Sequence, residues 1–239
     1  MGRSIGVILA GGTGTRIGGD VPKQLQQLAG KPMIEHSIAA FQAVDGIDEI
    51  AIVMQADHLA EAEAIASEYP KVTAVLPGGP SRTASTLVAL KHVAGAAPDT
   101  KVLIHDAARP LVTPQITDAV LTALDTFEAV SVTVPSADTV FEVADGLVTA
   151  VPARAGLRRV QTPQGFRLGT IMWAYRQAAD DPAFDGATDD CSVVFNYLPG
   201  VPVAAIDGAE SNIKVTNASD MELAAHLLQL ATPTQQSHK

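Results

Sequence analysis

The apolar positions of the chain form short runs that alternate with segments of helical periodicity. The first run, residues 5–10, is apolar apart from one glycine and lacks the alternation of a half-exposed strand, so it predicts a strand covered on both faces. Further strands are predicted at 49–54, 72–76, 101–106, 129–135 and 201–206, and helices at 32–41, 56–69, 86–93, 114–127, 168–179 and 219–230. Strands that alternate with helices pair in parallel through right-handed crossovers. We therefore expect an α/β fold, a single Rossmann-like domain with a mostly parallel central sheet.

One segment interrupts this rhythm. Short alternating runs at 140–143 and 147–151 flank Ala144-Asp145-Gly146, a pattern that indicates a β-hairpin. Because an isolated two-stranded arm is only marginally stable, we expect it to protrude and to pack on a second subunit, giving a homodimer. The predicted organisation is one domain over residues 1–230, with this arm inserted at 136–153. A polar tail at 231–239 is expected to be disordered.

Composition excludes several classes of partner. The 239 residues carry a net charge of −10, which argues against nucleic acid and against an anionic membrane surface. No apolar run approaches the roughly 18–20 residues that span a bilayer, and the first strand follows the N-terminus without a leader, so we expect a cytoplasmic protein. Cys191 is the only cysteine, which excludes an intrachain disulfide and a thiolate metal cluster.

A glycine-rich turn follows the first strand. Gly11, Gly12 and Gly14 break the strand, and Arg16 and Lys23 come shortly after. Glycines bring backbone N–H groups close to a ligand, and flanking cations favour a polyphosphate. The spacing matches neither G-x-G-x-x-G nor the Walker A sequence. A glycine-rich turn alone is also typical of a simple tight connection, so the added cations carry the phosphate prediction.

A second glycine turn, Gly78-Gly79-Pro80-Ser81-Arg82, enters the helix predicted from Thr86. One interpretation makes Ser81 only the helix N-cap. The other makes this turn the pocket for a base and ribose, with Arg82 and Ser85 contributing side chains.

Asp106 ends the strand 101–106, where ligand-facing residues of open α/β sheets gather. An acid beside a triphosphate loop suits Mg²⁺, which takes one or two carboxylates together with phosphate oxygens. The alternative for Asp106 is an N-cap or an ion pair with Arg109. For His105, a local structural role is favoured over acid–base chemistry.

Charged clusters mark the C-terminal half. Arg154, Arg158 and Arg159 are the densest positive charge of the chain and form either a solvated loop or a shaped segment leading into 161–164. Asp189 and Asp190 start a helix whose N-terminus they can stabilise. The final helix is expected to use a capping box formed by Ser219 and Glu222.

The motif L-A-G-G-x-G-x-R at 9–16, followed by Pro22-Lys23-Gln24, resembles the signature of sugar-phosphate nucleotidyltransferases. With the segments 78–82, 105–110, 161–164, 188–190 and 212–216, the chain from Val7 to about Leu230 is similar to the cytidylyltransferases that act on 2-C-methyl-D-erythritol 4-phosphate. The resemblance implies transfer of a cytidylyl group from CTP to that polyol phosphate in non-mevalonate isoprenoid synthesis. Pyrophosphate is the second product.

The resemblance also implies roles for particular residues. Arg16, Lys23 and Lys214 are assigned to the reacting phosphates, and Asp106 to Mg²⁺ and the polyol. Arg109 and Thr162 are assigned to the sugar phosphate, with Thr139 and Arg154 reaching it from the other subunit of a homodimer. The nucleotide is assigned to the two glycine turns and the helix that follows: Ala10, Gly11, Gly12, Gly14, Gly79, Arg82 and Ser85.

Three alternatives stay open. Leu9-Ala10-Gly11-Gly12 is common in enzymes that act on ribitol 5-phosphate, whereas the segments 105–110 and 188–190 and the spacing from Arg154 to Gln161 favour the methylerythritol branch. A non-catalytic nucleotide-binding regulator is expected to lack Lys23, Asp106 or Lys214, and all three are present. A dehydrogenase requires G-x-G-x-x-G and an acid closing the second strand, which here ends in Gln55.

Overall fold

A seven-stranded sheet lies at the centre of the fold. The structure, a computed structural model, describes residues 2–12 and 21–231. Gly14, Arg16 and the predicted tail from residue 232 onward therefore lie outside the described residues. The strands are β1 (Ser4–Ala10), β2 (Gln27–Leu28), β3 (Lys31–Pro32), β4 (Glu49–Met54), β5 (Val72–Pro77), β6 (Lys101–Asp106), β7 (Ala129–Pro135), β8 (Glu142–Ala144), β9 (Leu147–Ala150), β10 (Arg158–Arg167) and β11 (Val203–Asp207).

The order of strands in the central sheet is β11-β7-β10-β6-β1-β4-β5. Every pairing is parallel except those of β10, which runs antiparallel to β6 and to β7, so the expected mostly parallel sheet is confirmed. From β1 the chain proceeds outward through β4 and β5, then returns to place β6 on the other side of β1. The carboxyl ends of β1 and β6 thus form a topological switch point, the usual position of a ligand in such sheets.

Helices cover both faces of this sheet: α1 (Met33–Gln42), α2 (Leu59–Ala66), α3 (Arg82–Val93), α4 (Pro114–Ala123), α5 (Leu168–Ala179) and α6 (Asp190–Tyr197). The last helix, α7 (Ala218–Ala231), packs instead in a third cluster that includes Leu28 and Val215. Alternate residues of β1 point into different cores. Ile8 belongs to the core that includes residues of α1, α2 and α4, whereas Val7 belongs to the core that includes residues of α3, α5 and α6. The prediction that this strand is buried on both faces is confirmed.

The strand β10 was not predicted from the sequence. Its segment begins with two arginines and contains Pro163, which cannot donate a ladder hydrogen bond and argues against an interior strand. The chain accommodates Pro163 at a register shift between Gln161 and Gln164. The shaped-segment interpretation of this region is therefore the correct one, and its physical form is an irregular strand beside β6.

Several predicted element boundaries are wrong. The helix α3 begins at Arg82 rather than Thr86 and α4 ends at Ala123 rather than Phe127. The capping box of α7 also lies two residues earlier than expected. Asn217 Oδ1 accepts from the Asp220 amide at 3.0 Å, and Asp220 Oδ2 accepts from the Asn217 amide at 3.1 Å, so these two residues replace Ser219 and Glu222.

The predicted hairpin is present as a separate two-stranded sheet of β8 and β9. Asp145 and Gly146 have φ values of 51° and 78°, the left-handed conformation that tight hairpin turns require. The hairpin arm, residues 136–153, exposes large apolar side chains including Phe141, Leu147 and Val148. None of the described helices is long and apolar enough to cross a membrane.

Candidate active site

A cleft of about 400 Å³ opens at the carboxyl ends of β1 and β6. It brings together eight of the residues predicted for the site: Gly11, Gly12, Lys23, Gly79, Arg82, Ser85, Asp106 and Lys214. Gln24, Pro80, Ser81 and Thr216 also line it. Ala10 lies just behind the cleft, buried at the end of β1. These residues come from distant parts of the sequence, and the parallel sheet collects them because its strands end at one edge.

The two glycine turns pack against each other around Ser85. Gly79 N donates to Ser85 Oγ at 3.2 Å, and a Cβ added to Gly11 would lie 3.0 Å from the same oxygen. A Cβ on Gly79 would lie only 2.4 Å from Ala84 Cβ. Glycine is therefore required here by close approach of the backbone. Ser81 caps α3 by accepting from the Ala84 amide, so the N-cap interpretation of Ser81 is correct and does not conflict with a ligand-binding turn.

Two glutamines orient the first glycine turn. Gln24 Nε2 donates to the Gly12 carbonyl at 2.9 Å, and Gln55 Nε2 donates to the same oxygen. The Pro22-Lys23-Gln24 motif thus supplies both a cation and a brace for the turn. The role of Gln55 was missed because a polar residue at the end of a strand carries no distinctive sequence signal.

The backbone around Val215 joins two cations of the cleft. Lys23 Nζ donates to the Val215 carbonyl at 2.9 Å, while the Val215 amide donates to the Ala108 carbonyl at 2.7 Å. Lys214 is the preceding residue, and its Nζ lies 2.8 Å from Asp106 Oδ2. The segment 212–216, far along the chain from β1, is therefore fixed directly against the site.

Asp106 lies between two cations. Arg82 Nε is 3.2 Å from Oδ1, and Lys214 Nζ is 2.8 Å from Oδ2. Burial alone would raise the pKa of Asp106, but Arg82 and Lys214 outweigh it and hold the pKa well below its ordinary value. The alternative pairing with Arg109 is not formed. Arg109 instead donates to the carbonyls of Asn212 and Val160.

Thr162 and His105 form a buried hydrogen-bonded pair next to the Asp106 backbone. Thr162 Oγ1 accepts from the Asp106 amide at 3.1 Å and lies 3.0 Å from His105 Nδ1. Since burial lowers the pKa of His105 to about 4, the imidazole is neutral near pH 7. Nδ1 then accepts the Thr162 proton, and Nε2–H faces the Arg109 carbonyl at 3.2 Å. The predicted structural role of His105 agrees with this geometry.

Asp190 was predicted only to stabilise a helix start, and the structure gives it a different position. Asp189 is the cap of α6, accepting from the Ser192 amide. The Asp190 carboxylate is fully buried and lies 2.9 Å from Arg82 Nη2. The 188–190 motif contributed to the family resemblance, but no local sequence pattern identifies the ion pair between Arg82 and Asp190, which are 108 positions apart.

Thr139 and Arg154 lie outside the cleft. Both are exposed in or beside the hairpin arm, and Arg154 donates to the Ala137 carbonyl at 3.3 Å. The neighbouring Arg158 and Arg159 pair with Asp207 and Glu210. The dense positive charge of this region is therefore largely compensated by β11 and the segment that follows it.

In the described part of the chain, glycines, cations and one carboxylate line a cleft at the switch point of a mostly parallel sheet, an arrangement that suits an α/β nucleotidyltransferase. Comparison with known families identifies which nucleotidyltransferase family the chain belongs to. The family model of IspD, 2-C-methyl-D-erythritol 4-phosphate cytidylyltransferase, matches residues 5–230. This chain belongs to that family and is a CTP-dependent cytidylyltransferase.

Individual relatives agree. The chain is 51% identical over 233 residues to a 2-C-methyl-D-erythritol 4-phosphate cytidylyltransferase of Thermobifida fusca, covering 95% of this chain and 93% of that protein. The crystal structure of a 4-diphosphocytidyl-2C-methyl-D-erythritol synthase from Anaerococcus prevotii superposes with a TM-score of 0.83 at 27% identity, covering 95% and 99% of the two chains. A bifunctional ribulose 5-phosphate reductase/CDP-ribitol pyrophosphorylase of Haemophilus influenzae is 39% identical, and the match covers 95% of this chain but 48% of that protein.

Proposed function

We propose that this protein transfers the cytidylyl group of CTP to 2-C-methyl-D-erythritol 4-phosphate, giving 4-diphosphocytidyl-2-C-methyl-D-erythritol and pyrophosphate. The observation that carries the proposal is the convergence of both glycine turns, Lys23, Lys214 and Asp106 on one cleft. The 51% identity to the Thermobifida fusca enzyme supports the choice of polyol phosphate.

In the proposed reaction an oxygen of the substrate's phosphate attacks the α-phosphorus of CTP. A new P–O bond forms, the bond between the α-phosphorus and the bridging oxygen breaks, and pyrophosphate leaves. Lys23 and Lys214 stabilise the negative charge that develops at the α-phosphoryl group, as preorganised cations do. Arg16 is proposed for the same task and lies outside the described residues. No enzyme nucleophile is needed, and Cys191 is buried, with its pKa raised by burial and by nearby carboxylates.

The remaining contacts divide between the two substrates. We assign the nucleotide to Ala10, Gly11, Gly12, Gly79, Arg82 and Ser85, together with Gly14. The polyol is assigned to Asp106, and the sugar phosphate to Arg109 and Thr162, which lie next to Asp106: Thr162 accepts from the Asp106 amide, and the Arg109 amide donates to the Asp106 carbonyl.

We also propose that Mg²⁺ binds between Asp106 and the triphosphate. Within residues 2–12 and 21–231, no group of three or more His, Cys, Asp or Glu side chains is placed to hold a metal. Mg²⁺ takes one or two carboxylates and completes its coordination with phosphate oxygens and water, so Asp106 would suffice as the protein ligand, and the ion would share its oxygens with Arg82 and Lys214. When bound, the ion would neutralise phosphate charge beside Lys214.

The exposed apolar side chains of the hairpin arm support a homodimer, since large exposed apolar patches mark interfaces. We propose that Thr139 and Arg154 of each arm reach the sugar phosphate in the partner's cleft. A cytoplasmic location, expected from the sequence, is part of the same proposal.

The deciding experiment offers CTP and Mg²⁺ with 2-C-methyl-D-erythritol 4-phosphate and, in parallel, with ribitol 5-phosphate, and measures pyrophosphate release. Ribitol 5-phosphate is the second candidate because Leu9-Ala10-Gly11-Gly12 is common in that branch and the Haemophilus influenzae relative is a CDP-ribitol pyrophosphorylase. We expect faster turnover with the methylerythritol substrate. A kcat/KM that is higher with ribitol 5-phosphate overturns the proposal.

A further inference from the structure

Asp190 is a fully buried acidic side chain that the proposed chemistry does not use. The start of α6 does not need its carboxylate, because Asp189 accepts from the Ser192 amide at 3.0 Å and from Gln164 Nε2 at 2.9 Å. The Asp190 carboxylate points instead toward α3 and α5. A buried charge of this kind is costly unless it is paired, so its partners indicate what it does.

Those partners are Tyr175 on α5 and Arg82 on α3. The Tyr175 hydroxyl donates to Asp190 Oδ1 at 2.6 Å, and Arg82 Nη2 lies 2.9 Å from Oδ2. Burial and the nearby Asp190 charge raise the pKa of Tyr175, so the phenol keeps its proton and remains a donor. The carboxylate is therefore held in one orientation by a rigid side chain.

Arg82 in turn spans two carboxylates. One end of its guanidinium faces Asp190, and Nε faces Asp106 Oδ1 at 3.2 Å. Burial alone would lower the pKa of Arg82, but Asp190 and then Asp106 raise it above its ordinary value, so the group stays charged. Because the guanidinium is planar and rigid, the ion pair that holds Nη2 beside Asp190 determines how the neighbouring Nε donates to Asp106 Oδ1.

We infer that Asp190, held by Tyr175, is a positioning residue that fixes Arg82 so that its Nε edge faces Asp106 in the cleft. The inference rests on the proposed function of that cleft. Without Asp190, the cation is attracted to Asp106 alone, and a guanidinium that turns to make a two-point contact with Asp106 competes with Lys214 for Oδ2.

The main test is a double-mutant cycle on kcat/KM. Asp190→Asn keeps an acceptor for Tyr175 but places an uncharged amide opposite Arg82. We expect kcat/KM to fall about 10-fold to 100-fold, the scale of a misplaced active-site group. In an Arg82→Gln background the same change is expected to cost less than about twofold, because residues that act through one another are not additive. If Asp190→Asn lowers kcat/KM by the same factor in the Arg82→Gln background as in the wild type, the inference is wrong.

Two further variants separate positioning from folding. Tyr175→Phe leaves the ion pair and the ring in place, and we expect a loss of about 3-fold to 10-fold that also disappears in the Arg82→Gln background. If Asp190→Asn does not fold, the Tyr175→Phe variant is used for the double-mutant cycle instead. Tyr197→Phe is the matched control, because it removes another tyrosine–aspartate hydrogen bond, to Asp181 Oδ2 at 2.8 Å, outside the cleft lining.

We expect Tyr197→Phe to lower Tm while leaving kcat/KM unchanged. If Tyr175→Phe and Asp190→Asn behave in the same way, their role is structural and the inference is wrong. If the wild-type protein releases no pyrophosphate with either polyol phosphate, the proposed function fails. CTP affinity is then measured by calorimetry for the Asp190→Asn, Arg82→Gln and double variants. Additive changes in the binding free energy still overturn the positioning role.

Discussion

Lys214 Nζ lies 2.8 Å from Asp106 Oδ2, which joins a loop near the C-terminus to the end of β6. The loop is held there by its backbone, since the Val215 amide donates to the Ala108 carbonyl at 2.7 Å. Asn212 Nδ2 adds a bond to the Thr162 carbonyl at 3.0 Å. Lys214 is thus a preorganised cation whose position does not depend on substrate.

We predict that Lys214→Gln lowers kcat by about 10²–10³-fold, the usual cost of removing one preorganised charge-stabilising group. Pyrophosphate release at saturating CTP measures it. Lys31→Gln is the control, because Lys31 pairs with Glu35 on the exposed side of α1 and should leave kcat unchanged. A near-normal kcat for Lys214→Gln would remove this lysine from the chemical step.

Gly79→Ala should weaken CTP binding. The new Cβ would lie 2.4 Å from Ala84 Cβ, so the turn or the first turn of α3 must move. We expect CTP affinity to fall by up to about 100-fold, the scale on which a misplacement of about 1 Å lowers a catalysed rate. Gly95→Ala, where a Cβ has open space, is the matched control. Isothermal titration with CTP compares the two, and equal affinities would contradict the prediction.

The sequence predicted those parts of the site that depend on residues close together along the chain. The first strand, the glycine turns and Asp106 at a strand end all have local patterns, and the structure places them together. The Arg82–Asp190 pair and the Gln55 brace depend on how distant segments pack, so no local pattern reveals them. The strand β10 was missed for a third reason, because Pro163 sits at a bulge where the missing donor does no harm.

Thr162→Val should destabilise the fold and the site together. Valine has nearly the same shape but leaves the buried Asp106 amide and His105 Nδ1 without their shared partner. An unsatisfied buried polar group costs about 1–3 kcal/mol, which urea denaturation measures as a loss of unfolding free energy. Thr162→Ser keeps the hydroxyl and should lose less than half as much. The two variants losing equal amounts would show that packing of the methyl group matters more.

The homodimer proposal predicts that Phe141→Asp separates the subunits. A large apolar contact near the centre of an interface contributes about 2 kcal/mol or more, so the dimer Kd should rise about 30-fold or more. Sedimentation measures the association, and activity should fall with it if Thr139 and Arg154 serve the partner's cleft. Phe195→Asp, another exposed phenylalanine but on α6, should change neither. A wild-type protein that sediments as a monomer at micromolar concentration would end the proposal.

His105 predicts how stability depends on pH. Burial lowers its pKa to about 4 in the folded chain, against about 6.5 when unfolded. Between these values the unfolded chain binds a proton that the folded chain does not, so stability falls as the pH falls. The full contribution, about 3 kcal/mol, is present above pH 6.5 and is lost by about pH 4. Asp106, whose pKa is lowered, adds a loss only below about pH 4.

The measurement is the free energy of unfolding in urea from pH 7.5 to 4. His105→Gln can still bond Thr162 and the Arg109 carbonyl but takes up no proton, so its curve should be flatter than that of the wild type across this window. His92→Gln removes an exposed histidine of α3 and controls for the loss of an imidazole as such. If the His105→Gln curve ran parallel to the wild type, another group would be responsible for the acid lability. The neutral imidazole assigned beside Asp106 would then lose its support, because a histidine whose pKa is lowered by folding must take up a proton when the chain unfolds in this pH range.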